Sequence, residues 1–590
     1  MRRFRTSLVV RLAIIMAFSL NVNAQSQRDE SSASPSTGTI TGHVTTENGE
    51  PLPNATVYLR GSTPLFQPRM VAADGNGNFQ FSALDPLLYG ILAMAPGYVA
   101  PMRDPDNPAA YYRVGDSVSI SLVKGGVVTG TVLSSSGDPV VEVSVRAMLI
   151  RDAGGQQPKY TAYGSSMVTD DRGVYRIYGL LPGTYVISAG GRGSFTVNVF
   201  GGDAPTYAPS STRDTASEIA VRAGEETSGI DIRYRGEPGH IVSGSVTGLT
   251  DPNSPHQTNI NLMQISNGLP QASAYTVQAP NSKGFTFYGV ADGEYDLTAQ
   301  YFIVPGEYTT SEPRRVTVKD ADITGIELTL KPLASISGHV TLETSDALEC
   351  KNKRQPLFSE TLVMARRNEK STPKDQGRPL SFSLAQGSPN KSGDFVLRNL
   401  APGQYSLNAR FFAKYWYLRS INRDTSSAPP GGQKVGPASR PTEAAARNAI
   451  NLNFGELIKG MTLTLAEGAA SLRGMIKLAA GENLPPMVYL HLVPAEKENA
   501  EDVLRFFVAE INYDGTFAFN NLPPGRYWAL AQVSPANESH SDSKLRAPDE
   551  AQTRAQLRRA AEATKTEIDL KPCQNVTDYR LQLARASLKD

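Results

Sequence analysis

At 590 residues the chain is too long to fold around one core, so several domains are expected. Only 19% of its residues are charged while Gly (51) and Pro (40) are plentiful, which argues against long helices or coiled coil and suits turn-rich β structure. Its 58 Lys and Arg against 57 Asp and Glu leave no electrostatic footprint for nucleic acid.

Arg2, Arg3 and Arg5 precede an apolar run from Leu12 to Leu20, and Val22-Asn23-Ala24 puts a small residue before Gln25. That order marks residues 1–24 as a secretory signal peptide. The run falls short of the ~20 residues an uncleaved anchor needs. No Cys lies at the cut to carry a lipid, and no later stretch is apolar enough to cross a bilayer. The mature chain is therefore expected to be exported, to the periplasm, the cell surface or the medium, and to begin with a disordered Ser-rich linker over 25–38.

Three elements then recur five times. The first is a strand with Gly at its centre: Ile40-Thr-Gly42-His-Val44, followed by the stretches around Gly130, Gly244, Gly338 and Gly474. Apolar residues two before and two after the Gly share a face, and the Gly itself predicts a bulge or close backbone approach. The second begins at Phe79, Tyr175, Phe285, Phe395 and Phe517. An apolar residue stands two positions on and another three beyond that, then Tyr89, Tyr185, Tyr295, Tyr405 or Tyr527, then an Ala four further. Apolar alternation on both sides of a Gly- or Pro-containing break predicts two half-buried strands joined as a hairpin. The third is a closing strand, starting at Val118, Ile230, Ile326, Met461 and Tyr579.

The predicted fold is all-β: five tandem antiparallel β-sandwiches of transthyretin-like or immunoglobulin-like type, over 39–125, 126–236, 237–332, 333–468 and 469–585. The uneven spacing of the central glycines favours separate beads with loop insertions over a stacked solenoid. Insertions are expected at 152–163, 425–440 and 535–565. The last contains a helix at about 548–564, rich in Ala, Arg, Glu and Gln, with Pro548, Asp549 and Glu550 at its start. Leu545, Leu557 and the alanines are its candidates for packing on the last sandwich, and 442–448 suits another helical turn or two.

The paired signatures, Ser/Thr-Gly-x-Val and Gly-x-Phe-x-Phe-x-x-Leu-x-Pro-Gly-x-Tyr, resemble the carboxypeptidase regulatory-like domain. They are carried most fully by Gly173/Tyr175/Pro182/Gly183/Tyr185, Gly393/Phe395/Pro402/Gly403/Tyr405 and Gly515/Phe517/Pro524/Gly525/Tyr527. The resemblance implies a transthyretin-like or carbohydrate-binding-like sandwich, found in secreted and surface proteins of bacteria, that accompanies enzymes and transporters and is not itself known as a catalyst. Unit one departs from the pattern with Asp85-Pro86-Leu87 in place of Pro-Gly, and unit three with Asp292-Gly293, so a different turn is expected there.

Catalytic constellations fail on spacing. His43, His240, His256, His339, His491 and His540 include no His-Glu-x-x-His pair, and there is neither a Gly-x-Ser-x-Gly elbow nor a phosphate loop. His43 and His339 occupy equivalent strand positions, as solvent-facing residues would. No catalytic residue and no cofactor is assigned.

Three weaker groups carry the remaining site expectations. Asp74, Asn76 and Asn78 space oxygen-bearing side chains as a calcium loop does, and equally as a tight turn does. Phe412 and Trp416 face out if alternation continues through Phe411, Tyr415 and Tyr417, and would offer an aromatic surface for a glycan or a protein. Cys350 and Cys573 either form one disulfide, worth about 2–4 kcal/mol and tying units four and five together, or remain free thiols. The favoured function is a non-enzymatic exported binding or scaffold protein whose partner is a glycan or a cell-surface protein, with no nucleic acid and no membrane span in the mature chain. The alternative is a regulatory subunit of an extracytoplasmic hydrolase, or such a hydrolase itself, with acids drawn from Asp424, Asp502 and Asp542.

Overall fold

A computed structural model of the chain describes residues 38–582 apart from 63–65, 102–109, 159–163, 192–199, 249–257, 267–268, 279–283, 304–306, 369–383, 424–448, 478–483, 486–487, 513, 534–547 and 549. The expected signal peptide, the expected linker except Gly38, Leu545, the 442–448 stretch and the insertion expected at 425–440 lie outside the described residues.

Five hydrophobic clusters form, each from one stretch of chain: Ile40 to Leu122, Val128 to Tyr234, Val242 to Leu330, Ala334 to Leu465 and Ala470 to Leu581. Each is enclosed by two sheet layers built mainly from antiparallel ladders. Unit four shows the plan. One sheet runs Asp394–Leu400, Ala334–Glu343, Leu457–Glu467, Trp416–Arg423, and the other runs Leu384–Gly387, Leu362–Arg367, Gly403–Arg410, Ala449–Leu452. In every unit the opening strand pairs in parallel with the closing one, so each sandwich carries one parallel ladder in an antiparallel frame. In unit three Glu307–Ser311 pairs with both Gly293–Ile303 and Ile323–Pro332, which joins its two layers into one continuous sheet.

The central glycines are explained by that parallel ladder. A Cβ on Gly42, Gly130, Gly244, Gly338 or Gly474 would overlap the carbonyl oxygen of Val118, Ile230, Ile326, Met461 or Tyr579, the same position of the closing strand each time. Only glycine lets the two backbones approach so closely.

The repeated Phe-to-Tyr stretch is not the expected hairpin. Asn78–Leu84 pairs with the opening strand, whereas Leu88–Met94 pairs with Thr56–Gly61 and Tyr111–Arg113 in the opposite sheet, and the other units do likewise. The break therefore carries the chain across the sandwich, from one layer to the other. Apolar alternation looks the same for a hairpin and for this corner, since both faces point at one core. The corner is held by the tyrosine: the hydroxyls of Tyr89, Tyr185, Tyr295, Tyr405 and Tyr527 donate to the carbonyl four residues upstream, at Asp85, Leu181, Ala291, Ala401 and Pro523, over 2.8–2.9 Å. Gly183, Gly293, Gly403 and Gly525 take φ between 143° and 156° inside the corner. Unit one has Leu87 there, and its turn instead closes with the Leu87 amide on the Asp85 carbonyl at 2.8 Å.

The helix, α1, spans Ala551–Thr564 and ends at Lys565 in the left-handed conformation. Leu557 and Ala561 pack with Val493, Phe506 and Leu530 on the outer face of unit five, and the Arg558 guanidinium lies 5.0 Å from the centre of the Trp528 ring. No helix among the described residues is long and apolar enough to cross a membrane.

Candidate functional site

The expected aromatic surface is absent. Trp416 has no exposed area and belongs to the core of unit four. Alternation failed because the strand stops at Arg410, and a new one, Trp416–Arg423, starts in the opposite sheet against Leu457–Glu467, which resets the parity. Phe412 is half-buried, with the Arg113 and Arg410 guanidinium groups 5.6 and 6.0 Å from its ring centre, so cations of units one and four already lie on it.

Asp74 spends its carboxylate on a turn. One oxygen accepts from the Asn76 and Asn78 amides at 2.9 and 2.8 Å, the other from the Asn78 side chain at 3.3 Å, and these bonds, led by that from the Asn78 backbone, hold its pKa below the usual range. Asp170 and Asn390 cap the equivalent turns in units two and four in the same way. Among the described residues no three His, Cys, Asp or Glu gather as a metal site would need. His43 and His339 bond across to Asn78 and Asp394, at 3.0 and 2.8 Å. Asp502 caps the short helical turn Val503–Arg505 by accepting from the Leu504 amide at 3.0 Å, and burial raises its pKa. Asp424 and Asp542 lie outside the described residues. A groove of about 470 Å³ opens on the outer face of unit five around Gly474, flanked by Arg473, Met475, Asp578 and Arg580, with no acid pair and no nucleophile beside a base.

What the structure builds with most care is the joints between units. Next to the last apolar residue of the Phe strand a bulge puts Ala83, Gly179, Gly289, Asn399 and Asn521 at φ of 53° to 71°. From unit two onward this bulge faces the preceding unit. Gly179 lies 3.8 Å, measured from where its Cβ would stand, from Val99, and a Cβ on Gly289 would press on the carbonyls of Gly201 and Asp203. The Asn399 side chain accepts from the Tyr308 amide at 3.0 Å, and the Asn521 side chain donates to the carbonyls of Ala413 and Trp416, both at 2.8 Å. Sequence reading passed over these residues. The signal was there, since Ala, Gly and Asn alone fill one register position, and Gly and Asn are the residues that tolerate a left-handed backbone.

The fourth joint is reinforced. Cys350 and Cys573 are joined as a disulfide with Cα atoms 5.4 Å apart, both buried, and Leu504 of unit five packs against the core of unit four. Units one and four also meet: the Gln386 side chain donates to the Tyr111 hydroxyl at 2.7 Å, close to the Arg113–Phe412 contact.

Residues 39–108 match the family model described as the carboxypeptidase regulatory-like domain. The curated relatives include the BOS complex subunit NOMO1 of mouse and the BOS complex subunits NOMO1 and NOMO3 of human, each 30% identical over 150 residues. That match covers 24% of this chain and only 11% of theirs. Solved structures with a likeness include the TIE protein of Bacillus anthracis (15% identity, 50% of this chain and 51% of that one, TM-score 0.14). Others are the minor pilin GBS52 of Streptococcus agalactiae (13%, 34% and 96%, TM-score 0.19) and two B repeat units of the collagen binding protein of Staphylococcus aureus (12%, 73% and 100%, TM-score 0.13). Scores this low carry no weight for function.

Proposed function

We propose that this chain, whose first unit is a carboxypeptidase regulatory-like domain and whose later units repeat the same sandwich, is a non-catalytic scaffold that works outside the cytoplasm and presents a protein-binding surface on a stiffened array. The observation that carries the reading is the set of joints: a left-handed bulge seated on the preceding unit at each of them, with a buried disulfide added at the last. Function groups that a catalyst would aim into a cleft are here committed to turns and caps, as Asp74 and Asp502 are. Export is supported by the basic-then-apolar N-terminus and by a disulfide, which persists in oxidising compartments. A protein partner is preferred to a glycan because the one tryptophan expected to stack on sugar, Trp416, is buried.

Small-angle X-ray scattering of residues 25–590 tests the scaffold. The oxidised chain is expected to give one well-defined maximum dimension, and the Cys350→Ser/Cys573→Ser variant a longer and broader distance distribution. Scattering from freely jointed beads with the disulfide intact would remove the reading. So would hydrolysis of any glycoside, ester or peptide in a broad panel that follows the pure protein through its final column.

A further inference from the structure

Registering the five units on one another singles out a surface on unit one. The middle of the outer face of the second sheet carries three cross-strand neighbours in each unit. They are Ser166–Arg146–Ser188 in unit two, beside which Ile150, Val186 and Tyr207 pack into a buried apolar cluster, Gln386–Met364–Asn408 in unit four, and Tyr275, Asn261 and Thr298 in register in unit three, so polar residues hold most of these positions. In unit five they are Val508–His491–Leu530, and that apolar patch is covered by α1, which leaves Leu530 only 6% exposed. In unit one they are Met70–Tyr58–Leu92, extended along one strand by Met94. Here Met70 is 67%, Met94 57% and Leu92 42% exposed.

We propose that this face of unit one is a docking surface for an amphipathic helix of a partner protein. Unit five shows how the same sheet position is satisfied: a helix lays a Leu/Ala ridge across it and reaches out with arginines, Arg558 bonding the carbonyls of Pro494 and Ala495 at 3.2 and 2.9 Å. Methionines add to the fit, because their flexible thioethers adapt to a ridge they are not covalently tied to. Arg60 is exposed two residues beyond Tyr58 on the same face, which sets the polar edge of the incoming helix as acidic. Exposed apolar area of this kind, shared by neighbouring strands, is the usual mark of an interaction site. The inference rests on the scaffold reading for its setting, but its test is separate, since occupancy of this face is independent of the stiffness that scattering measures.

The test uses residues 25–590 and a stapled 14-residue helical peptide with Leu at positions spaced i, i+3, i+4, i+7 and Glu on its flanks, against the same composition with the Leu spacing scrambled. Fluorescence anisotropy is expected to show saturable binding of the ridged peptide at least tenfold tighter than the scrambled one. Leu92→Glu should weaken it at least tenfold and Arg60→Glu several-fold. Val396→Glu, at an exposed site on unit four, should leave it unchanged, with circular dichroism confirming that all variants fold. Equal binding of both peptides, or indifference to Leu92→Glu, overturns the proposal. It is also overturned if sedimentation shows the chain dimerising through this face, or if it floats with phosphatidylglycerol vesicles, each in a Leu92-dependent manner.

Discussion

Ala83 stands where the other units place Gly or Asn in a left-handed backbone, and its side chain offers no hydrogen bond in return. An L-residue there costs about 1 kcal/mol that glycine avoids. Ala83→Gly should therefore slow amide exchange in Asn78–Leu84, by an amount equivalent to roughly 0.5–1 kcal/mol in opening free energy. The corner tyrosines give the opposite sign. Tyr405→Phe leaves the Ala401 carbonyl without its donor, and should destabilise unit four by about 1–2 kcal/mol in urea, read by exchange across Gly403–Arg410. His491 supplies a pH dependence. Burial pushes its pKa down from 6.5 to about 4, against which a side-chain hydrogen bond with Gln532 works only partly. The unfolded chain binds the extra proton between those values, so stability is complete above pH 6.5 and falls as the pH drops toward 4, by at most about 3 kcal/mol. In His491→Gln that acid slope should flatten.

Among the elements, α1 is the clearest case of a segment defined by what it covers. Its isolated helical tendency over 14 residues is marginal in water, so contact with unit five is what stabilises it. Leu557 is its main anchor. Leu557→Ala is expected to cost about 2 kcal/mol locally and to redden Trp528 fluorescence as the helix lifts, with little effect on the sandwich core beneath. The corner, too, is an element whose nature depends on its partners. Alternation places Phe79, Phe81, Tyr89 and Ala93 correctly toward a core, as their burial shows, but period two is blind to which sheet a strand joins. The same blindness misplaced Trp416, where a five-residue break let the parity reset.

At the scale of the whole molecule, the stiffness proposed for the array rests on short joints. Unit one ends its closing strand at Lys124, and unit two opens at Gly126. The Asn521 amide bridges two carbonyls of unit four, and removing it leaves both without that donor. Asn521→Gly keeps the left-handed backbone while deleting the bridge. It should increase the interdomain distance spread measured between spin labels on units four and five, more so when Cys350 and Cys573 are also replaced by Ser. Unchanged distances in that triple variant would assign the joint to apolar packing around Leu504 instead.

The sequence alone determined the sandwich class, the five-fold repeat, and the recurrence of one glycine and one tyrosine at fixed positions in every unit. These rest on local rules: side-chain period, backbone freedom at glycine, and spacing repeated without change. The tertiary structure alone decided that the corner crosses between sheets, that Trp416 turns inward, that the bulge residues are joints, and that unit one leaves bare the sheet face unit five covers. Each of those depends on which distant strand or unit lies opposite, and a periodicity of two or a single residue type carries no record of its partner.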